Sequence, residues 1–164
     1  KNHKFHQIVI GNNPASHLNW YEAKAICKWL GGRLPTESEW EYLATNGGTT
    51  KLPWGNNWKE NVANIEYSGD VCDVSSFSNG DNKWGVRQLI GNLWEWCEEP
   101  IYPYDGFVMD SIYREMSYPF FGQKKILRGG SWAVPKILIN SKYRNAQMPD
   151  TRIQFTGIRV VRDI

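Results

Sequence analysis

Three cysteines and three histidines are the side chains in this sequence best suited to metal or covalent chemistry. Cys27, Cys72 and Cys97 lie far apart and form no CxxC pair, the spacing that a thiolate metal site or a dithiol redox centre uses. An odd, unpaired set reads as reduced thiols in a cytoplasmic setting, with one disulfide plus one free thiol as the alternative. His3, His6 and His17 show no HxxxH spacing, and none falls in a helical pattern. Two imidazoles on one helix face are what bring ligands together on a metal, so the histidines on their own build no such centre.

The elements that would position any site are short. Phe5 to Ile10 reads as a strand, ended by the turn cluster Gly11-Asn12-Asn13-Pro14. Asn19 reads as a helix N-cap with Glu22 at the capping-box position, and the helix runs through Ala23, Ala25, Ile26, Trp29 and Leu30 to Gly31-Gly32. After the extended link Arg33-Leu34-Pro35, Thr36 and Glu39 form a second capping box for a helix carrying Trp40, Tyr42 and Leu43, which stops at Asn46-Gly47-Gly48. From Thr49 to Gly91 there is no periodicity, so side-chain hydrogen bonds or ions must hold that stretch. Leu89 to Cys97, Ile126 to Trp132 and Gly157 to Val161 read as strands, and Ile101 to Gly122 as an aromatic, proline-containing loop.

Bulk properties narrow the class. The 164 residues suit one domain, and nine tryptophans among many Gly, Asn and Pro residues indicate a loop-rich fold pinned by buried rings. A net charge of +2 offers no strong field for nucleic acid. No apolar run approaches the roughly 18 residues that span a bilayer, and Lys1 to Gly11 lacks the apolar core of a signal peptide. Opening on Lys1 reads as a fragment or a processed chain.

Several blocks then combine. They are Asn19-Trp20-Tyr21-Glu22-Ala23, Gly32-Arg33-Leu34-Pro35-Thr36-Glu37-Ser38-Glu39-Trp40-Glu41, Pro53-Trp54-Gly55 and Ala63-Asn64-Ile65. After them come Gly91-Asn92-Leu93-Trp94-Glu95-Trp96, Arg128-Gly129-Gly130-Ser131-Trp132 and Gly157-Ile158-Arg159. Their order and spacing resemble the formylglycine-generating-enzyme (sulfatase-modifying factor) superfamily across nearly the whole chain. The resemblance implies an α+β, C-type-lectin-like fold with two helices and short antiparallel strands, as a single domain over 1–164 lacking its first strands. Trp40, Trp54, Trp94 and Trp132 then read as core rings, and Arg33 and Glu41 as satisfied polar residues.

The copper-binding branch of that superfamily needs two cysteines shortly after the Gly-Gly-Ser block, because thiolates are the soft ligands of Cu(I). Ala133 to Ile139 contains none, which disfavours a formylglycine-type oxidase. The segments Tyr104-Asp105-Gly106-Phe107, Ile112-Tyr113-Arg114-Glu115, Ser117 to Phe121 and Arg144-Asn145, with Pro149, Arg152 and Phe155, are similar instead to the ergothioneine-biosynthesis sulfoxide synthases. Those are non-haem iron(II) enzymes that use dioxygen to join a thiol to trimethylhistidine (hercynine), and selenoneine synthases lie close to them. The resemblance gives Tyr113 the role of proton donor, and a phenol is protonated at neutral pH. It gives Asn145 the holding of trimethylhistidine, with Arg144, Gln147 and Arg152 beside it. Gln147 and Thr151 stand where some members carry an Asp and an Arg for gamma-glutamylcysteine, which implies cysteine or another thiol as donor here.

Iron in that branch is held by three histidines of an N-terminal DinB-like helical domain. The resemblance therefore implies a missing domain or a separate partner chain, with no iron ligand in this one. Some superfamily members also bind Ca2+ through loop oxygens. The corresponding residues are Asn64, Ile65, Asp70 and Asp73 for one site, and Gln88, Gly91, Leu93 and Glu95 for a second. The alternative is a non-enzymatic lectin-like binding module that recognises a ligand or protein through Ala133 to Asn140 and Ala146 to Asp150.

Overall fold

The computed structural model describes residues 12–112, 117–153 and 155–163. Helix α1 covers Trp20–Trp29 and helix α2 covers Glu37–Ala44. Both open on the predicted capping boxes. Asn19 Oδ1 accepts the Glu22 N–H at 2.9 Å while Glu22 Oε2 accepts the Asn19 N–H at 3.0 Å. Thr36 Oγ1 and Glu39 Oε2 make the same exchange at 3.1 and 2.8 Å. Each box satisfies two N–H groups that a helix start leaves without intrahelical partners. α1 buries Trp20, Ala23 and Cys27, which fall on one face, and leaves Tyr21 and Trp29 exposed. No helix among the described residues is long and apolar enough to cross a membrane.

Four strands form one sheet in the order β3-β2-β1-β4. They are β1 (Trp94–Pro100), β2 (Lys125–Arg128), β3 (Asn145–Gln147) and β4 (Thr156–Gly157). β1 pairs antiparallel with β2, placing Glu95 opposite Arg128 and Trp96 opposite Leu127, and β2 pairs antiparallel with β3. The β1–β4 pair is parallel, a departure from the all-antiparallel expectation. The period-2 alternation of strand side chains divides the core in two. Trp94, Trp96 and Leu127 pack with Trp20, Ala23, Cys27 and Leu34 under α1. Cys97, Ile126 and Ala146 pack on the other face with Trp40, Ala44, Leu89 and Ile90 under α2.

The strand ends differ from the sequence pattern for backbone reasons. The strand expected from Leu89 begins at Trp94, because Gln88, Gly91 and Asn92 take left-handed conformations with φ of 53°, 81° and 63°. Gly91 is required there, since an added Cβ would lie 2.4 Å from the Asn64 carbonyl oxygen. The strand expected to reach Trp132 ends at Arg128, where Gly129 turns the chain at φ 96°. Trp132 is half-buried rather than central, edge-on to Phe155 at 5.2 Å between centroids. The stretch expected from Gly157 to Val161 reduces to β4 and an isolated bridge between Val161 and Arg33. The strand expected at Phe5 to Ile10 lies outside the described residues.

Arg33 closes this corner through a bidentate contact with Glu39, both bonds 2.7 Å, and a further pair with Asp163. The Arg33 guanidinium holds the Glu39 carboxyl at about 2, below its ordinary 4.5. A depressed carboxylate stabilises the fold above its unfolded pKa, and that contribution is lost as pH falls from 4.5 toward 2. The Glu39 side chain is 40% exposed, so solvent screening limits the effect to about 1 kcal/mol or less. Glu39→Gln keeps an acceptor for the capping box and is expected to flatten this acid limb in urea titrations run across that range. An acid limb as steep as that of the parent protein would contradict the assignment.

Candidate functional site

β3 is the edge strand that carries the residues expected to hold substrate. Ala146 points into the core, so Asn145 and Gln147 share the opposite face, across from Leu127 and Lys125 of β2. Asn145 is half-buried, and its Oδ1 accepts the Ala146 N–H at 2.8 Å. Lys125 was not anticipated. Its ammonium lies 3.9 Å from the centre of the Trp20 ring and donates to the Glu98 carbonyl at 2.9 Å. Desolvation lowers its pKa. Its signal in the sequence was only a lysine beginning an apolar strand.

Arg144 is already engaged. Its Nε and Nη2 hold both Glu37 oxygens at 2.7 and 2.9 Å, Nη1 donates to the Tyr102 carbonyl at 3.0 Å, and its plane covers the Tyr104 ring at 4.3 Å. Arg152 is ion-paired with Glu22 on the surface. Thr151 and Gln147 are half-buried near the same edge. Tyr113, with Arg114 and Glu115, lies outside the described residues; the 101–112 loop leads to it and is exposed from Tyr102 onward.

The residues singled out for calcium form a hydrogen-bonded layer under the 64–93 loops. Asn64 Nδ2 donates to the Asp70 carbonyl at 2.9 Å and to Asn92 Oδ1 at 3.2 Å, and Asn64 Oδ1 accepts the Ser68 hydroxyl. Gln88 Nε2 donates to the Asp73 and Ser76 carbonyls at 2.9 and 3.2 Å, while Gln88 Oε1 accepts from Asn92 Nδ2 at 2.6 Å. The Asp70 carboxylate accepts the Val71 N–H, and that of Asp73 takes the Ser75 N–H and hydroxyl. Glu95 is held by Arg159 at 2.6 and 2.7 Å and by the Trp40 indole N–H at 2.8 Å. Ile65, Gly91 and Leu93 are buried alongside. The Asp70, Asp73 and Glu95 carboxylates and the Asn64 and Gln88 amide oxygens already accept N–H or O–H donors of the protein, so Ca2+, which needs six to eight converging oxygens, would have to displace them. Adding millimolar Ca2+ or EDTA is therefore expected to leave the melting temperature unchanged, and a rise with Ca2+ would show that the loops rearrange around the ion.

Among the described residues no three His, Cys, Asp or Glu side chains gather as a metal group, and His17 is exposed with its Nδ1 at 3.0 Å from the Ser16 hydroxyl. All three cysteines are free thiols. Burial raises the pKa of each, most strongly at Cys97 in the core, which keeps them protonated.

Known proteins agree with this frame. The family model described as "Sulfatase-modifying factor enzyme 1-like domain" matches residues 2–164. A hercynine oxygenase of Mycolicibacterium smegmatis is 35% identical over 168 residues, covering 95% of this chain and 39% of that protein. The chain thus spans about two-fifths of the length of that relative. The structure of PvdO from Pseudomonas aeruginosa superimposes with a TM-score of 0.74 at 25% identity, over 94% of this chain and 64% of that one. Treponema denticola variable protein 1 superimposes with a TM-score of 0.75 at 24% identity, over 92% and 71%. The two capped helices, the short curled sheet and the hydrogen-bonded loop layer are the C-type-lectin-like fold read from the motifs, and the chain belongs to the sulfatase-modifying factor enzyme 1-like domain family.

Proposed function

We propose that this chain is the C-terminal part of an iron(II)- and oxygen-dependent sulfoxide synthase that joins hercynine to a thiol such as cysteine, in ergothioneine-type biosynthesis. The observation that carries the reading is the 35% identity to a hercynine oxygenase across 95% of the chain. Three histidines of an N-terminal DinB-like helical domain or a separate chain would hold the metal, where iron(II) would supply the activation of dioxygen.

This chain's own part is to hold the substrate and move a proton. Asn145 stands on the outer edge of the sheet, where its amide nitrogen can donate to an imidazole nitrogen or carboxylate. Gln147 lies two residues along on the same face and offers a second amide. Tyr113, reached through the 101–112 loop, supplies the proton as a neutral phenol. The buried thiols of Cys27 and Cys97 and the half-buried thiol of Cys72 take no part, since each is held protonated within the fold.

Native mass, measured together with iron content on the protein taken from its native source, tests the reading. A species well above 19.0 kDa that holds iron and converts trimethylhistidine and cysteine is the expected result. An iron-free species of 19.0 kDa without turnover would refute it. In the assembled protein Tyr113→Phe is expected to slow product formation roughly a hundredfold, and Asn145→Ala to weaken trimethylhistidine binding. A second reading, a non-enzymatic lectin-like module, draws on Ile137 and Leu138, which are 91% and 44% exposed in the loop after Trp132. Full turnover after Ile137→Ser and Leu138→Ser would remove its support.

A further inference from the structure

Arg144 precedes the substrate-facing Asn145, yet its guanidinium is spent within the protein. Two of its nitrogens grip Glu37 in parallel, at 2.7 and 2.9 Å, and the third reaches the Tyr102 carbonyl at 3.0 Å. The side chain is 15% exposed and that of Glu37 is 14% exposed. Glu37 is itself fixed from two other directions. Its N–H donates to Glu99 of β1 at 2.9 Å, and its Oε1 accepts from the buried Arg128 at 3.0 Å. The first turn of α2, the edge of β3 and the start of the 101–112 loop therefore meet in one guanidinium.

That loop has little burial of its own. Tyr102, Tyr104, Phe107, Val108 and Ile112 are each at least half exposed. Phe107 meets the Phe121 ring at 5.6 Å, and Tyr104 lies under the Arg144 guanidinium. A loop with so few buried contacts opens locally unless it is tethered at its base. The planar fork of arginine suits the task, because it can chelate a carboxylate and still present a third edge to a carbonyl.

We infer that Glu37 and Arg144 form a clasp that fixes the base of the 101–112 loop against β3, and that Arg144 is a positioning residue rather than a substrate contact. The clasp follows from the geometry alone. Its consequence for trimethylhistidine rests on the function proposed above.

Hydrogen exchange on the intact protein, read peptide by peptide, tests the clasp. Arg144→Lys keeps a charge beside Glu37 but cannot also reach the Tyr102 carbonyl. It is expected to leave the melting temperature close to that of the parent protein and the exchange of β1 and β2 unchanged. Exchange within 102–112 is expected to rise about tenfold. Glu37→Gln is expected to loosen the same peptides, and the two changes combined to add little further. Unchanged exchange in 102–112 in both variants would overturn the clasp, as would a uniform rise across the whole chain, which would mean a general stability effect. Trimethylhistidine binding separates the clasp from the functional reading. If the parent protein binds it, Arg144→Lys should weaken binding while Arg144 makes no contact of its own, so the loss should be matched by Glu37→Gln. A loss with Arg144→Lys and none with Glu37→Gln would make Arg144 a substrate contact and overturn the positioning role. If the parent protein does not bind trimethylhistidine, the functional reading fails, and the exchange experiment still decides the clasp.

Discussion

Arg128→Met is expected to cost about 3–5 kcal/mol of folding stability. Arg128 lies in β2 with 0% of its side chain exposed. It donates to Glu37 at 3.0 Å, to Glu41 at 2.7 Å and to the Ser141 and Lys142 carbonyls at 2.7 and 3.3 Å, and its guanidinium stands 5.1 Å from the centre of the Trp40 ring. Methionine fills much of the volume but leaves two carboxylates and two carbonyls without their donor. Glu37 retains Arg144, whereas Glu41 loses its cation, so the penalty concentrates on Glu41. The Arg128 Nε has no hydrogen-bond partner among the described residues. The site is therefore imperfectly satisfied, and its worth lies in the damage done by removing one member rather than in net attraction. Adding Glu41→Gln to Arg128→Met should recover part of the loss by removing the stranded charge. Urea unfolding of the single and double variants checks both statements. A cost below about 1 kcal/mol for the single change would show that water readily replaces the guanidinium.

What could be read from the sequence was the local chemistry. Asn19 with Glu22 and Thr36 with Glu39 mark both helix starts within a few residues, and both boxes form. The need for side-chain hydrogen bonds or ions between Thr49 and Gly91 follows from the lack of periodicity, and Asn46, Asn64, Asn82 and Asn92 supply hydrogen bonds from buried positions. What was hidden depends on residues distant in the chain. β3 has three residues, two of them polar amides, and exists because β2 pairs with it. Leu89 to Leu93 carries the apolar content of a strand but turns instead, because the amides of Gln88 and Asn92 bind the 72–76 loop. The carboxylate partners of Arg128, Glu37 and Glu41, lie in α2, far along the sequence. At the candidate site, no strand was legible around Asn145, which reaches the sheet edge by pairing with β2, and no local signal shows that Arg144 turns inward to meet Glu37.

A second buried charge pair, Glu95 with Arg159, is joined to the Arg128 cluster by the single Trp40 ring. Glu95 is 8% exposed, and its oxygens take the Arg159 guanidinium at 2.6 and 2.7 Å and the Trp40 indole N–H at 2.8 Å. Arg159 also donates to the Arg87 and Gln88 carbonyls at 2.9 and 3.3 Å, immediately before the turn that leads into β1. Glu95→Ala strands this arginine and the Trp40 N–H together, and is expected to cost about 3–5 kcal/mol. Glu95→Gln keeps an acceptor for Trp40 and should cost about half as much. Because the Trp40 ring meets Glu95 at its N–H and Arg128 at its face, the two ion pairs should not be independent. A double-mutant cycle between Glu95→Gln and Arg128→Met is expected to show a coupling of about 1 kcal/mol, with the second change costing less once the first has loosened the ring. Strict additivity would mean that Trp40, which is 0% exposed, is fixed by its apolar neighbours and transmits nothing between α2 and the loop layer. A measured coupling would make that indole the physical link between the helix that clasps Arg144 and the turn that carries the Asn92 network.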